Sequence, residues 1–231
     1  MIERARAAGV TRMLVPAYDL ASWDDVAALA ERPGVFAAYG LHPWVAHEPL
    51  DPERLADELR NRRAVAVGEI GLDFTIEKFD RARQVEVLRM QLDVAAALDL
   101  PAMLHCRGAF EEMLALLGER TPRVRGVVHA FSRGPELAKR FLDLGLHVAF
   151  GGAITRPNAT RARRSAAAVP GDRVVLETDA PSIGLHGVEA AKVEPRHTAE
   201  VARALAEIRG ETFEAIAERT TENARALFHL P

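Results

Sequence analysis

The sequence predicts an α/β fold built from repeated parallel strand–helix units. Three observations predict it: seven short apolar runs, longer stretches of helical spacing between them, and a length of 231 residues. Strand followed by helix, repeated without a domain-sized linker, is typical of parallel βα units. A closed barrel of eight such units usually needs about 250 residues. The chain therefore falls about one strand short of a closed barrel, and we expect a single domain over residues 1–231.

The apolar runs give the strands, and the spacing of apolar residues gives the helices. The predicted strands are Met13–Ala17, Val35–Leu41, Ala64–Ile70, Ala102–Cys106, Gly126–Phe131, His147–Phe150 and Val174–Glu177. Val85, Leu88 and Leu92 share one stripe of a helix predicted over roughly residues 79–98. A second helix is predicted over 211–228, and the Arg- and Ala-rich stretch 159–168 is predicted to be a solvated helix after a loop.

Composition excludes several classes of protein and leaves an enzyme as the expectation. The net charge of -3 and the pI near 6.3 give no overall basic footprint for nucleic acid, but they do not exclude it, because metals at a site can neutralise phosphate locally. One cysteine, Cys106, excludes an intrachain disulfide framework and is expected to be a small buried hydrophobe. No apolar run reaches membrane-spanning length, and the first ten residues lack the apolar stretch of a signal peptide. We expect a cytoplasmic location and no membrane partner.

Four short motifs place nitrogen and oxygen donors where predicted strands end. The motifs are GEIGLD (Gly68 to Asp73), LHCR (Leu104 to Arg107), HAFS (His129 to Ser132) and LETDAP (Leu176 to Pro181). Their donors form a mixed set suited to divalent metals: Glu69, His105, His129 and Asp179. Residues two apart in a strand point to the same face of the sheet. The side chains of Val67, Glu69 and Asp73 are therefore expected to point to one face. All four donors can then face one side, at the strand ends where parallel βα folds hold their chemistry, if each segment stays extended.

Structural alternatives remain open for several of these residues. A single histidine at a strand end, such as His129, is more often a hydrogen-bonded structural residue; four donors at four strand ends favour a metal site. His42, in YGLHP, either shapes a loop or belongs to the site. Glu177 is a site carboxylate or a strand-end residue bonded to backbone, and the second is favoured. Trp23 and Trp44 are expected to be packing residues, although Trp44 lies close enough to His42 to line a pocket.

An ordered set of motifs resembles the TatD family of metal-dependent hydrolases, within the amidohydrolase-like barrel superfamily. The matching segments are GLHP at 40–43, GEIGLDF at 68–74, LPAMLHCR at 100–107, HAFS at 129–132, LETDAP at 176–181 and TENARALF at 221–228. They follow the family's order and spacing from about residue 1 to the end of the chain. The resemblance implies a TIM-like (β/α) barrel and a deoxyribonuclease supported by Mg²⁺ or Mn²⁺, with Zn²⁺ as an alternative and up to two ions.

The resemblance also implies roles for individual residues. Glu69 would bridge two metals, while His105 and His129 would complete the second metal site. Asp179 would bind the first metal and act as the catalytic residue that orients the attacking water. Arg107, whose guanidinium suits a bidentate phosphate contact, is a candidate for substrate binding, and its alternative is a surface ion pair. His42 is a second candidate contact to the substrate phosphate.

The chain departs from the family pattern at its start. The family normally opens with a strand that carries a His-x-His metal pair, whereas MIERARAAGVTRMLVPA is similar to the family's first helix and second strand. Arg133 follows HAFS in place of a glycine, and VEPRH lacks the usual preceding asparagine. Either the true start lies upstream, or the chain is short and closes the gap by oligomerisation or rearrangement. The expected barrel therefore lacks its first strand.

The expected function is cleavage of phosphodiester bonds in DNA by metal-activated water. One alternative is hydrolysis of a small amide, lactone or phosphoester, because fold does not fix substrate. Another is a catalytically impaired binding protein on the same fold, which the missing His-x-His pair suggests.

Overall fold

A computed structural model describes residues 1–77, 80–121 and 123–231, and all seven predicted strands are present among them. The strands are β1 (Met13–Pro16), β2 (Val35–Tyr39), β3 (Ala66–Asp73), β4 (Ala102–Arg107), β5 (Gly126–Val128), β6 (His147–Phe150) and β7 (Val174–Leu176). Their order in the sheet follows the sequence, and the pairs with a described register are parallel.

Nine α-helices occur in the described part of the chain and alternate with the strands. They are α1 (Ile2–Ala7), α2 (Trp23–Ala30), α3 (Pro52–Asn61), α4 (Arg81–Ala97), α5 (Phe110–Gly118), α6 (Pro135–Asp143), α7 (Thr160–Ala168), α8 (Thr198–Arg209) and α9 (Phe213–Phe228). The helices predicted near 79–98, 159–168 and 211–228 are α4, α7 and α9; residue 79 itself lies outside the described residues. None of the described helices is both long enough and apolar enough to traverse a lipid bilayer.

Two compact units make up the chain. One is Arg12–Val127, and the other joins Met1–Thr11 to Val128–Pro231. The expectation of a single domain over residues 1–231 stays a prediction.

In the unit Arg12–Val127, two buried glutamines of α4 hold the helix against strand-end backbone. The Gln84 amide accepts from Asp73 N at 2.9 Å and donates to Asp73 O at 3.1 Å. Gln91 makes the same pair of bonds to Leu41, at 2.7 and 3.1 Å. Asp80 begins the helix as its N-cap, because its carboxylate accepts from Arg83 N. The buried amides therefore satisfy backbone groups where the polar strand ends emerge.

In the other unit, polar side chains of the last helices bind the segments around β7. Asn223 of α9 donates to the carbonyl oxygens of Gly171 and Val174, both at 2.7 Å. Arg209 of α8 donates to carbonyl oxygens at the end of α7. One face of α7 is buried through Ala162, Ser165 and Ala166, so the expectation of a solvated helix holds only for its other face.

In the same unit, α1 is held by a bidentate ion pair to the turn at Pro195–His197. Arg4 Nε donates to Glu194 Oε2 and Arg4 Nη2 donates to Glu194 Oε1, each at 2.8 Å. Glu194 N in turn donates to Nδ1 of the buried His197 at 2.8 Å. The residues of the VEPRH segment thus have a structural role here.

The pair of Arg4 and Glu194 predicts a pH-dependent contribution to stability. The hydrogen bond from Arg4 lowers the pKa of Glu194 to about 2 from an ordinary 4.5. Because the pKa of Glu194 is lowered, the stabilisation of the folded state by the pair of Arg4 and Glu194 is complete above pH 4.5 and is lost as pH falls toward 2. Glu194→Gln should therefore lower the melting temperature slightly at pH 7, because exposed Arg4 is screened by water, and the difference should vanish between pH 4.5 and 2.

The control is Asp57→Asn, which removes an exposed i,i+3 pair with Arg60. Its melting temperature should match that of the wild type across the same pH range. A difference for Glu194→Gln that persists unchanged at low pH would contradict the assignment.

Candidate metal centre

Three side chains from neighbouring segments of the unit Arg12–Val127 converge on one another. Glu69 of β3 places Oε1 2.8 Å from Nδ1 of His105 on β4. The same oxygen lies 3.2 Å from Nε2 of His42, which follows β2. The ligand atoms of these three residues all lie within 4.8 Å of one another. The structure thus brings Glu69 and His105 together and adds His42.

A bulge in β3 sets the direction of the Glu69 side chain. Val67 pairs with Ala102 and Ile70 with Leu104, so one extra residue is inserted between the two pairs. Because Ala102 and Leu104 share a face, Val67 shares its face with Ile70. The expectation that Val67 shares the face of Glu69 is therefore wrong, and the bulge is the reason.

The second glycine of GEIGLD permits the close approach of β3 and β4. Gly71 pairs with His105, and a Cβ at Gly71 would lie 1.9 Å from the His105 carbonyl oxygen. Gly71 also has a φ of +156°, a backbone conformation that residues other than glycine rarely adopt. Only glycine fits here, and its presence lets His105 stand beside Glu69.

Asp73 is a buried carboxylate that the candidate set from the sequence omits. Its Oδ2 accepts from Trp44 Nε1 at 2.8 Å, and its Oδ1 accepts from Thr75 N at 2.8 Å and Thr75 Oγ1 at 2.7 Å. Burial acts to raise the pKa of Asp73, but the hydrogen bonds from Thr75 and Trp44 outweigh burial and hold that pKa below its usual value. Asp73 is therefore ionised at neutral pH. The available signal was its place at the end of β3, four residues after Glu69.

Both ring nitrogens of His105 face carboxylates. Nδ1 lies 2.8 Å from Glu69 Oε1, and Nε2 lies 3.4 Å from Asp73 Oδ2. When Nε2 carries the proton and points it at Asp73, Nδ1 offers a lone pair beside Glu69. This is the carboxylate–histidine–metal arrangement, in which the outer carboxylate fixes the tautomer and orientation of the ligand. With the proton on Nε2, Asp73 positions His105.

His42 lies near the same carboxylate, and its ligand atom is close enough to those of Glu69 and His105 for the three to hold an ion. Its Nδ1 accepts from Trp44 N at 3.2 Å, so this nitrogen carries no proton. The proton of the neutral ring is then on Nε2, which points at Glu69. In this tautomer Nε2 has no lone pair for a metal, and His42 donates a hydrogen bond to Glu69 or to a substrate oxygen. It also begins the turn Pro43–Val45, so its loop role and its site role coexist.

The spacing of Glu69 and His105 fits one shared ion. Ligand atoms bonded at about 2.0–2.2 Å to one metal stand roughly 3 Å apart. Glu69 Oε1 and His105 Nδ1, at 2.8 Å, already have that separation. A carboxylate with an imidazole suits Mn²⁺ or Zn²⁺ and, through oxygen, Mg²⁺.

In the other unit, the chain leaves its extended conformation at both predicted donors. β5 ends immediately before His129, and Ala130 has a φ of +49°. Asp179 follows β7 with a φ of +52°. The prediction that all four donors face one side required these segments to stay extended, and they do not. The alternation of side chains along a strand therefore does not determine where His129 and Asp179 point. A ring nitrogen of His129 and a carboxylate oxygen of Asp179 nevertheless lie within 4.8 Å of each other.

Glu177 is bonded to backbone, as the favoured interpretation of the sequence had it. Its Oε1 accepts from Ala130 N at 2.5 Å, and its Oε2 lies 3.9 Å from His129 Nδ1. Glu177 therefore holds the turn that follows His129.

The remaining candidates differ in exposure. Arg107 is exposed at the end of β4, opposite Asp73 in register, and forms no ion pair with any residue that the structure describes.

Cys106 is partly exposed rather than fully buried. Trp23 is a packing residue with 2 % of its surface exposed, whereas Trp44 is 45 % exposed and bonded to Asp73. The packing expectation is therefore wrong for Trp44, and its alternative as a residue lining the site holds.

Comparison with known proteins identifies the family. The model of the family described as TatD related DNase matches residues 1–229. The chain belongs to this TatD family. The uncharacterized metal-dependent hydrolase YjjV of Escherichia coli K12 is 37% identical over 100% of this chain and 91% of its own. The 3'-5' ssDNA/RNA exonuclease TatD of Erwinia billingiae is 32% identical over 100% of this chain and 92% of its own.

Solved structures agree with the predicted fold. The crystal structure of YjjV, a TatD homologue from Escherichia coli K12, superposes with a TM-score of 0.93 over 100% of this chain and 91% of that one. An amidohydrolase from Saccharomyces cerevisiae, 16% identical, shares the fold with a TM-score of 0.78 over 98% of this chain and 91% of its own. The predicted fold class, α/β of the TIM-like barrel type, is confirmed. The protein is an enzyme, a metal-dependent hydrolase of the TatD family.

Asp73→Asn should weaken the metal centre while leaving the fold intact. The amide oxygen can still accept from Trp44, but the anionic acceptor for His105 Nε2–H is lost. Removing such an outer carboxylate typically lowers metal affinity or activity by about 10–100-fold. Metal titration with a competing chelator measures the effect, with the exposed Asp93→Asn as a control. Unchanged affinity in Asp73→Asn would show that Asp73 does not orient His105.

Proposed function

We propose that the protein is a deoxyribonuclease that cleaves phosphodiester bonds in DNA with metal-activated water. The observation that carries the proposal is the convergence of Glu69 and His105 at 2.8 Å beside the buried Asp73. A family described by DNase activity, and a relative named as an exonuclease on single-stranded DNA and RNA, support a nucleic-acid substrate.

The proposed ligands are Glu69, His105, His129 and Asp179, with Mg²⁺ or Mn²⁺ as the ion, Zn²⁺ as the alternative, and up to two ions per chain. When bound, such a metal polarises a phosphoryl oxygen and lowers the pKa of its water. The cytoplasmic location expected from the sequence stays a prediction.

Three side chains are proposed to accept the proton of the attacking water or to bind the substrate phosphate. Asp179 is proposed to accept the proton of the attacking water. Nε2 of His42 lies 3.2 Å from Glu69 Oε1, and His42 is proposed to donate to a phosphoryl oxygen that enters there. Arg107, exposed at the end of β4, is proposed to bind a phosphate through its guanidinium.

The test follows the products from a single-stranded oligodeoxynucleotide labelled at one end. We expect mononucleotides to be released with Mg²⁺ or Mn²⁺, release to stop with EDTA, and activity to return when metal is restored. A phosphodiester of p-nitrophenol, an acetate ester and a lactone are assayed in parallel. Turnover of the small compounds without cleavage of DNA would assign the alternative hydrolase class, and metal-independent DNA binding without any turnover would assign a binding protein.

A further inference from the structure

We propose that Tyr18 and Trp44 form a stacking surface for one base of single-stranded nucleic acid, beside the phosphodiester to be cleaved. The inference rests on the proposed nuclease function and extends it with a base-binding site. Both side chains and the carboxylate and histidines that they adjoin belong to the unit Arg12–Val127.

Exposure of these two rings is the first observation. Tyr18 is 41% exposed and Trp44 is 45% exposed, in a part of the chain where most large apolar side chains are buried. Their ring centroids lie 6.4 Å apart, with the planes at 80°. Single exposed apolar residues are ordinary, but two aromatic rings in mutual contact form a surface suited to a flat apolar ligand.

Both rings are held in place before any ligand arrives. The Trp44 indole N–H donates to the buried Asp73 at 2.8 Å, which fixes the plane of the ring. Tyr18 stacks on His42 with centroids 5.1 Å apart and planes at 29°. The carbonyl oxygen of Tyr18 also accepts from His42 N at 3.0 Å. Rings that are already ordered lose little entropy on binding, which favours affinity.

The aromatic surface adjoins the candidate metal centre. The Trp44 ring lies 5.1 Å from the His42 ring and 6.5 Å from the His105 ring, and His42 and His105 are 4.6 Å apart. A base on Tyr18 and Trp44 would therefore place its own phosphate near Glu69 and His105. The exposed Arg107, opposite Asp73 in register, supplies a cation for that phosphate or its neighbour.

This combination points to a single strand rather than a duplex. A base inside a duplex is already stacked on both faces, whereas a base in a single strand offers a free face to an aromatic side chain. Stacking is also tolerant of sequence, because every base has a π-face. The surface should therefore accept a base of a single strand with little discrimination among the four bases.

Binding of a phosphorothioate oligodeoxynucleotide, which resists hydrolysis, tests the surface independently of catalysis. Fluorescence anisotropy in Mg²⁺ compares the wild type with Tyr18→Leu, Tyr18→Phe and the control Leu29→Ala, which alters an exposed apolar residue of α2. Loss of one stacked base corresponds to about a 5–150-fold weaker affinity. We expect that loss in Tyr18→Leu and wild-type affinity in Tyr18→Phe and Leu29→Ala.

Abasic substitutions in the oligonucleotide identify the base. Removing one base at a time should reveal one position, near the end that is cleaved, where the wild type loses more affinity than Tyr18→Leu, which keeps only Trp44. A second readout uses Trp23→Phe, which leaves Trp44 as the one tryptophan of the chain, since the sequence has two. Its fluorescence should be quenched by the intact oligonucleotide and not by the oligonucleotide that lacks this base.

The outcomes separate this inference from the proposed function. Cleavage of DNA by a wild type that is indifferent to every abasic position would overturn the stacking surface and leave the nuclease intact. Position-specific sensitivity without any cleavage would retain the surface and overturn the nuclease. Equal affinity of Tyr18→Leu and Tyr18→Phe, or no binding by the wild type, would overturn the stacking surface.

Discussion

Asp179→Asn is expected to lower the rate of metal-supported DNA hydrolysis by about 10²–10⁴-fold, the usual effect of removing a general base. An amide can neither accept the proton of the attacking water nor offer an anionic oxygen to a metal. The backbone should tolerate the change, because Asp179 has a φ of +52° and asparagine is among the residues that adopt this region most readily. The substitution therefore removes the chemistry and keeps the conformation.

Steady-state cleavage of single-stranded DNA, with circular dichroism and melting temperature beside it, measures the effect of Asp179→Asn. Asp172→Asn is the matched control, since Asp172 is an exposed aspartate of the same unit. It should retain wild-type activity. Turnover by Asp179→Asn close to that of the wild type would remove Asp179 from the mechanism.

Glu69→Gln is expected to reduce metal affinity and DNA hydrolysis together, by about 100-fold or more, because even an outer carboxylate of a metal site accounts for about 10–100-fold. Glu69 Oε1 contacts His105 Nδ1 at 2.8 Å and His42 Nε2 at 3.2 Å, so it is the shared oxygen of the cluster. The glutamine keeps the shape of the side chain and loses the charge.

Metal affinity of Glu69→Gln is measured by competition with a fluorescent chelator, and cleavage is measured at saturating metal. The exposed Glu119→Gln serves as control. If cleavage falls while metal affinity stays at the wild-type value, Glu69 acts on the substrate and not as a ligand.

The strands were predictable because buried parallel strands produce nearly continuous apolar runs. The residues at which the strands end were harder to predict. β3 continues to Asp73, three residues beyond the predicted Ile70, because Gly71, Leu72 and Asp73 pair with β4. β5 ends at Val128 rather than Phe131, because the chain turns to positive φ at Ala130. Pairing partners and left-handed residues are set by tertiary contacts that a local pattern does not encode.

The sequence predicts some residues of the candidate site, and others are evident only from the structure. Glu69 and His105 were predictable because a polar residue at the end of an apolar run is conspicuous. The sequence does not predict Asp73 as a site residue and indicates Trp44 only as an alternative, because their roles depend on a hydrogen bond between residues 29 positions apart. The bulge that turns Glu69 toward His105 likewise appears only in the register of β3 against β4.

The content of divalent metal per chain tests the central claim most directly. Wild type and the double variant His105→Ala, His129→Ala are equilibrated with Mn²⁺, freed of unbound ion and analysed by elemental mass spectrometry, with melting temperature as the check on folding. The account predicts at least one ion per wild-type chain and a large loss in the double variant. Equal metal content in the two proteins would contradict the assignment of these histidines as ligands.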